Sequence, residues 1–149
     1  SSTGGFTEVC LLHGAARVYA VDVGRGQLHP KLAGDPRVVS LEGVDARNLT
    51  PALIPMAPDL IVTDVSFIGL AKALPVGLAL AARGADLVAL VKPQFEVGPD
   101  QVGKGGLVKD EAARGRALEE VSAFLTVSGW LVRATSDRPS RVFTRESAT

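Results

Sequence analysis

The chain has 149 residues, 46% of them apolar and 21% charged, with 16 basic side chains against 16 acidic ones. That length and composition suit one soluble globular domain with its own core, and the balanced charge leaves no basic footprint of the kind a nucleic-acid partner usually requires. Cys10 is the only cysteine, which excludes an internal disulfide and fits a reducing cytoplasm; no stretch reads as a signal peptide or a bilayer span.

In chain order, SSTGGFTEV opens on a glycine turn that leads into an apolar helix, Phe6–His13, ending at Gly14. RVYAVDVG (17–24) is a strand that ends in Asp22. A short helix, Gln27–Ala33, stops at Gly34, and RVVSLEG (37–43) is the next strand, with Asp45 just beyond it. DLIVTDVSF (59–67) is the third strand and carries Asp64 at its end. A helix over Ser66–Ala82 follows, bent or split by Pro75. DLVALVKP is the fourth strand and ends in Lys92; the glycine-rich stretch from Gly98 to Gly106 is a mobile loop. Asp110–Ser128 is a helix with an acid in its first turn and Gly129 after its end, and WLVRATS (130–136) is the fifth strand.

Continuous apolar strands alternating with helices predict an α/β fold: a mostly parallel sheet covered by helices on both faces, Rossmann-like. In such a sheet a glycine turn like Gly4-Gly5 follows the first, central strand. No strand precedes it here, so the expectation is a domain spanning 1–149 whose first strand lies outside this sequence.

Ligands of open α/β sheets sit beyond the carboxyl ends of the strands. Those ends carry Asp22, Asp45, Asp64 and Lys92 in four successive strands. Each alone reads better as a helix cap or a solvated turn than as a ligand group; four in register point to a site. Gly4 and Gly5 allow close backbone approach at a helix start. Asp22 is placed to accept from ribose hydroxyls, and Asp45 from an exocyclic amine such as adenine N6. Together they describe an adenosine-containing cofactor, and the missing G-x-G-x-x-G spacing argues against a dinucleotide. Lys92 either marks the solvent end of a strand or does chemistry there, as an ammonium that orients an oxygen or as a base whose pKa burial has lowered; a nearby Asp64 would favour the charged form.

STGGFTEVCLLHGAARVYAVDVGRGQL, TDVSFIGL and LVKPQFEVGPDQVGKGGLVKD resemble the methyltransferase domain of the haemolysin A-type (TlyA) ribosomal RNA methyltransferases, within the FtsJ-like group of ribose 2′-O-methyltransferases. The resemblance covers nearly all of residues 1–136, and KPQFE followed by VGKGG is its most specific part. It implies S-adenosylmethionine as cofactor, with Ser2, Thr3, Gly4, Gly5 and Phe6 in the cofactor loop, Asp22 and Val23 at the ribose, Asp45 and Ala46 at the adenine, and Asp64 bordering the same cofactor. It also implies a catalytic Lys-Asp-Lys-Glu set, in which Asp64 matches the aspartate and Lys92 the second lysine. The first lysine lies upstream of this sequence, as does an RNA-binding module. Glu146 is the only glutamate available for the fourth position, in a tail (139–149) that departs from the family as a shifted reading frame would make it.

The implied function is methyl transfer to ribose 2′-hydroxyls of ribosomal RNA, in the cytoplasm, on free RNA or ribosomal subunits, with a homodimer as a further expectation. The alternatives are a fragment that binds S-adenosylmethionine or RNA without turnover, and a membrane-acting haemolysin, for which no cationic amphipathic helix speaks. Lys104 and Lys109 are either RNA-phosphate contacts or solvated loop lysines, and Phe95 is either a base-stacking platform or a plug over the core. Cys10 and His13 read as packed residues of an apolar helix, Trp130 as core, and no Cys/His cluster has metal spacing.

Overall fold

A computed structural model describes residues 4–64, 69–91, 96, 111–138 and 140–147. The chain divides into two compact units, Ser1–Met56 and Ala57–Thr149. In both, apolar strands are joined through helices, as the alternating pattern requires.

The first unit contains α1 (Gly5–Leu12), β1 (Val18–Asp22), α2 (Pro30–Ala33), β2 (Val38–Glu42) and a short 3-10 turn, Ala46–Asn48. β1 and β2 pair in parallel without a register shift, from Val18 opposite Val38 to Asp22 opposite Glu42. The core is small: Leu11, Ala20, Leu28 and Val38, flanked by Val18 and Leu32. α1 buries Thr7 and Leu11, one turn apart, while Phe6, Val9 and Leu12 are exposed. His13 is exposed at the end of α1, which corrects the expectation that it packs. α2 starts later than the Gln27 expected, because Pro30 takes the first helical position and the His29 ring nitrogen caps the Lys31 amide at 3.1 Å. Gly4 has φ 97°, and a Cβ there would run into Leu32 and meet Leu28 Cδ1 at 2.8 Å. Backbone and packing both demand glycine at this position.

The second unit contains β3 (Leu60–Thr63), α3 (Leu70–Ala73), α4 (Pro75–Leu80), β4 (Asp86–Val91), α5 (Glu111–Val127), β5 (Trp130–Arg138) and β6 (Ser140–Ser147). Its sheet order is β3-β4-β6-β5. β3 and β4 are parallel, whereas β6 runs antiparallel to both β4 and β5. The expected fifth strand is therefore present, but a sixth, formed by the tail, separates it from β4. The helix expected over 66–82 is two short helices, because Pro75 has no N–H to continue α3 and starts α4 instead.

The core of this unit joins Leu70, Leu74 and Leu78 to Leu87 and Ala89 of β4, to Val121 and Leu125 of α5, and to Trp130. Ala117, Val121 and Leu125 recur every fourth residue, so α5 turns one stripe to the sheet. Leu125 is 0% exposed and Val127, two residues on, is 89% exposed. Chemical denaturation should therefore show Leu125→Ala costing ~2–5 kcal/mol and Val127→Ala changing stability by less than about 0.5 kcal/mol. Equal effects would contradict this packing.

Candidate functional site

The parallel register sets the last residues of β1 and β2, Asp22 and Glu42, side by side. Two carboxylates at neighbouring strand ends repel unless donors reach them, and each has one. Asp22 Oδ1 accepts from the Gly24 amide at 2.9 Å, and Glu42 Oε2 accepts from the Gly26 amide at 3.1 Å. The two strand-end turns are also joined through backbone: the Gly43 amide donates to the Gly24 carbonyl at 3.0 Å, and Val44 to that of Asp22 at 3.1 Å. Gly43 has φ 68°, and the Arg25 guanidinium lies so close that a Cβ would meet its Nη2 at 2.5 Å.

A recess on this face is lined by Ala20, Asp22, Gly24, Gln27, Leu28, Ser40 and Glu42. Its lining holds two carboxylates and neither lysine nor arginine. Such a surface accepts hydrogen bonds from a neutral diol and repels a phosphate. The sequence reading placed Asp22 here but missed Ser40 and Glu42. The signal was available: two polar residues at alternate positions in VVSLE, hence on one face of the strand.

The other expected cofactor residues are placed differently. Gly4 is closed over by α2, whereas Gly5, the first residue of α1, has open space where its Cβ would stand. Phe6 and Val23 are exposed. Asp45 starts the 3-10 turn that contains Ala46, and its Oδ1 caps the Arg47 amide at 2.8 Å. The Arg47 guanidinium then grips both carboxylate oxygens, with Nη2 2.6 Å from Oδ2. The acceptor atoms expected to meet an adenine amine are thus already bonded to Arg47, and Asp45 does not line the recess. Ser2 and Thr3 lie outside the described residues.

In the second unit Asp64 stands immediately after β3 and is exposed. The last paired residue of β3, Thr63, lies opposite Ala89. Lys92, which follows Val91 at the end of β4, lies outside the described residues, as do Phe95, Lys104 and Lys109. Glu96 is described and is half-buried. Its Oε1 accepts from the Leu70 amide at 2.8 Å. Burial pushes its carboxyl pKa up; the Leu70 amide opposes this, and the charge of Glu120 on α5 adds to it. Sequence reading did not single out Glu96.

Glu146 lies in β6, where it pairs with Asp86, the first residue of β4, while Val91 at the other end of that strand pairs with Arg141. Among the described residues no group of three or more His, Cys, Asp or Glu could hold a metal ion, and no helix is long and apolar enough to cross a membrane.

Parallel strand pairs joined through helices, acids at their carboxyl ends and an antiparallel strand inserted before the last one define a Rossmann-like methyltransferase fold. The model of the FtsJ-like methyltransferases matches residues 1–141, and the chain belongs to that family. It is 55% identical over 130 residues to the 16S/23S rRNA (cytidine-2′-O)-methyltransferase TlyA of Mycobacterium tuberculosis, a match that covers 87% of this chain and 48% of that protein. It is 44% identical over 140 residues to the putative rRNA methyltransferase YqxC of Bacillus subtilis, covering 93% and 50%. The solved structure of a putative hemolysin from Streptococcus thermophilus superposes with a TM-score of 0.91 at 39% identity, over 99% of this chain and 56% of that one. The chain spans about half the length of these curated relatives.

The Arg47 fork and cap hold Asp45 at a pKa of about 2, below its ordinary 3.8. Asp35 is held at about 2 in the same way by Arg37. A carboxylate depressed in the folded state contributes stability above its unfolded pKa and loses it as pH falls through the folded value. Thermal melts of the wild type should therefore fall more steeply from pH ~4 to ~2 than those of Asp45→Asn, which cannot titrate there. Identical slopes would contradict the assignment.

Proposed function

We propose that the chain is the catalytic part of an enzyme that transfers a methyl group from S-adenosylmethionine to a ribose 2′-hydroxyl of ribosomal RNA. The observation that carries this reading is the 55% identity to a protein named for that reaction. The strand-end geometry of the first unit supports it. The Asp22 carboxylate and the cation-free recess beside it suit the hydroxyls of an adenosine ribose, with Gly5 offering open backbone at the start of α1. When bound, S-adenosylmethionine supplies an electrophilic methyl on a sulfonium centre.

The acceptor side falls to Asp64 and Lys92. Lys92 orients the 2′-hydroxyl and, as the neutral amine, takes its proton as the oxygen is methylated. Asp64 holds the lysine in place and favours its charged form once the proton has moved. Proton removal by a positioned group contributes about 10²–10⁴-fold, and orientation supplies up to ~7–11 kcal/mol in well-aligned cases. Neither demands stabilisation of a growing negative charge, because the sulfonium is neutralised in the same step. Lys104 and Lys109 contact RNA phosphates and Phe95 stacks on a base. The RNA is methylated where ribosomal subunits are assembled and used, in the cytoplasm.

Transfer of tritiated methyl to ribosomal subunits by the full-length protein tests the proposal. Lys92→Ala should lower kcat by about 10²–10⁴-fold, and nuclease digestion should recover the label as a 2′-O-methylated nucleoside. Label on a base, or a Lys92→Ala variant as fast as wild type, would contradict it.

A further inference from the structure

Alternate residues of a strand share a face, and paired parallel strands bring such residues into one block. In the first unit the register sets Ala20 beside Ser40 and Asp22 beside Glu42, and all four line the recess. Asp22 has its task in the cofactor reading. Glu42 has none, although it stands level with Asp22 in the same recess.

Among the described residues one donor reaches Glu42: the Gly26 amide, 3.1 Å from Oε2. That bond ties the turn after β1 to the end of β2, but it needs no charge. A glutamine carbonyl would accept from Gly26 as well, without the repulsion that a second carboxylate beside Asp22 brings. Two backbone bonds already join the same turns, from Gly43 to Gly24 at 3.0 Å and from Val44 to Asp22 at 3.1 Å. The charge is therefore the part of Glu42 that the fold does not account for. No cation among the described residues cancels it within the recess. Arg25 lies against Gly43 and is not part of the lining, and the Arg47 guanidinium is taken by both oxygens of Asp45.

We infer that Glu42 is a specificity-determining residue: its charge, added to that of Asp22, bars from the recess any adenosine compound whose ribose carries a phosphate on the 2′ or 3′ oxygen. The inference rests on the reading of this recess as the seat of the cofactor's adenosine ribose. A free diol offers two hydroxyl protons and gains from carboxylates, which only accept. A ribose phosphate has lost a donor and brings negative charge to the same place. Nucleotide sites that accept such a phosphate put an arginine beside it; this recess puts a second acid there. Asp22 binds the ribose and Glu42 selects it.

The test is calorimetric competition against S-adenosylmethionine on the full-length protein, with adenosine and adenosine 2′-monophosphate as competitors. The two share base and sugar, so the ratio of their Kd values isolates the phosphate. Wild type should bind the monophosphate at least ~10-fold more weakly than adenosine, and the gap should narrow as salt rises from ~0.05 to ~0.5 M. Glu42→Gln, which keeps an acceptor for Gly26, should cut that ratio by about 3–10-fold while Kd for S-adenosylmethionine stays within about threefold. Glu42→Asp, which keeps the charge, should retain the wild-type ratio. A residue that only held the turn would do the reverse, with glutamine behaving as wild type and the shorter aspartate not. Should Glu42→Gln fail to fold, Glu42→Ser takes its place with the same expected fall in the ratio. Tight S-adenosylmethionine binding overturns this inference alone if wild type binds both competitors alike, or if Glu42→Gln keeps the wild-type ratio. A wild-type protein that binds neither S-adenosylmethionine nor adenosine overturns the cofactor reading and the selectivity role with it.

Discussion

Parallel pairing without offset is the constraint on which the rest of this molecule depends. When two parallel strands pair residue for residue, their last residues end level, and whatever the sequence puts there is delivered to one edge. In the first unit that edge receives Asp22 and Glu42. Two carboxylates so placed would repel, and the turns that follow are shaped to answer this: the amides of Gly24 and Gly26 each donate to one of them. The chain thus converts an electrostatic conflict into a fixed pair of acceptors. A single-residue slip in register would separate the pair and turn Asp22 to the other face.

The second unit also pairs its strands in parallel, with a larger core behind them, but β3 ends at Thr63 opposite Ala89 while β4 runs on to Val91. Leu87 and Ala89 are fully buried beneath the stripe of α5, so β4 is held along the length that precedes Lys92. The Glu96–Leu70 bond fastens the chain again beyond it. Core packing and one long-range hydrogen bond thus anchor the described chain on both sides of that turn.

What could be read from the sequence was what is encoded locally. Strands over 17–24, 37–43, 59–67 and 86–92 are continuous apolar runs, and the structure keeps β1 to β4 inside those limits, with Asp22 and Asp64 at or just past their ends. What escaped depends on partners distant in the chain. β6 carries Arg141, Arg145 and Glu146 and resembles a polar tail until β4 and β5 flank it. Glu96 reads as one more charged loop residue until Leu70 is beside it. One misreading was local and avoidable: Pro30 announced the start of α2.

Calorimetric titration of S-adenosylmethionine into the full-length protein, wild type against Asp22→Ala, bears most directly on the claim that the strand ends form a cofactor site. Hydrogen bonds to a charged group contribute about 1.5–3 kcal/mol, so loss of this carboxylate should weaken binding by roughly 10–100-fold. An Asp22→Ala variant that binds as tightly as wild type would mean that the edge where β1 and β2 end level is not where the cofactor is held.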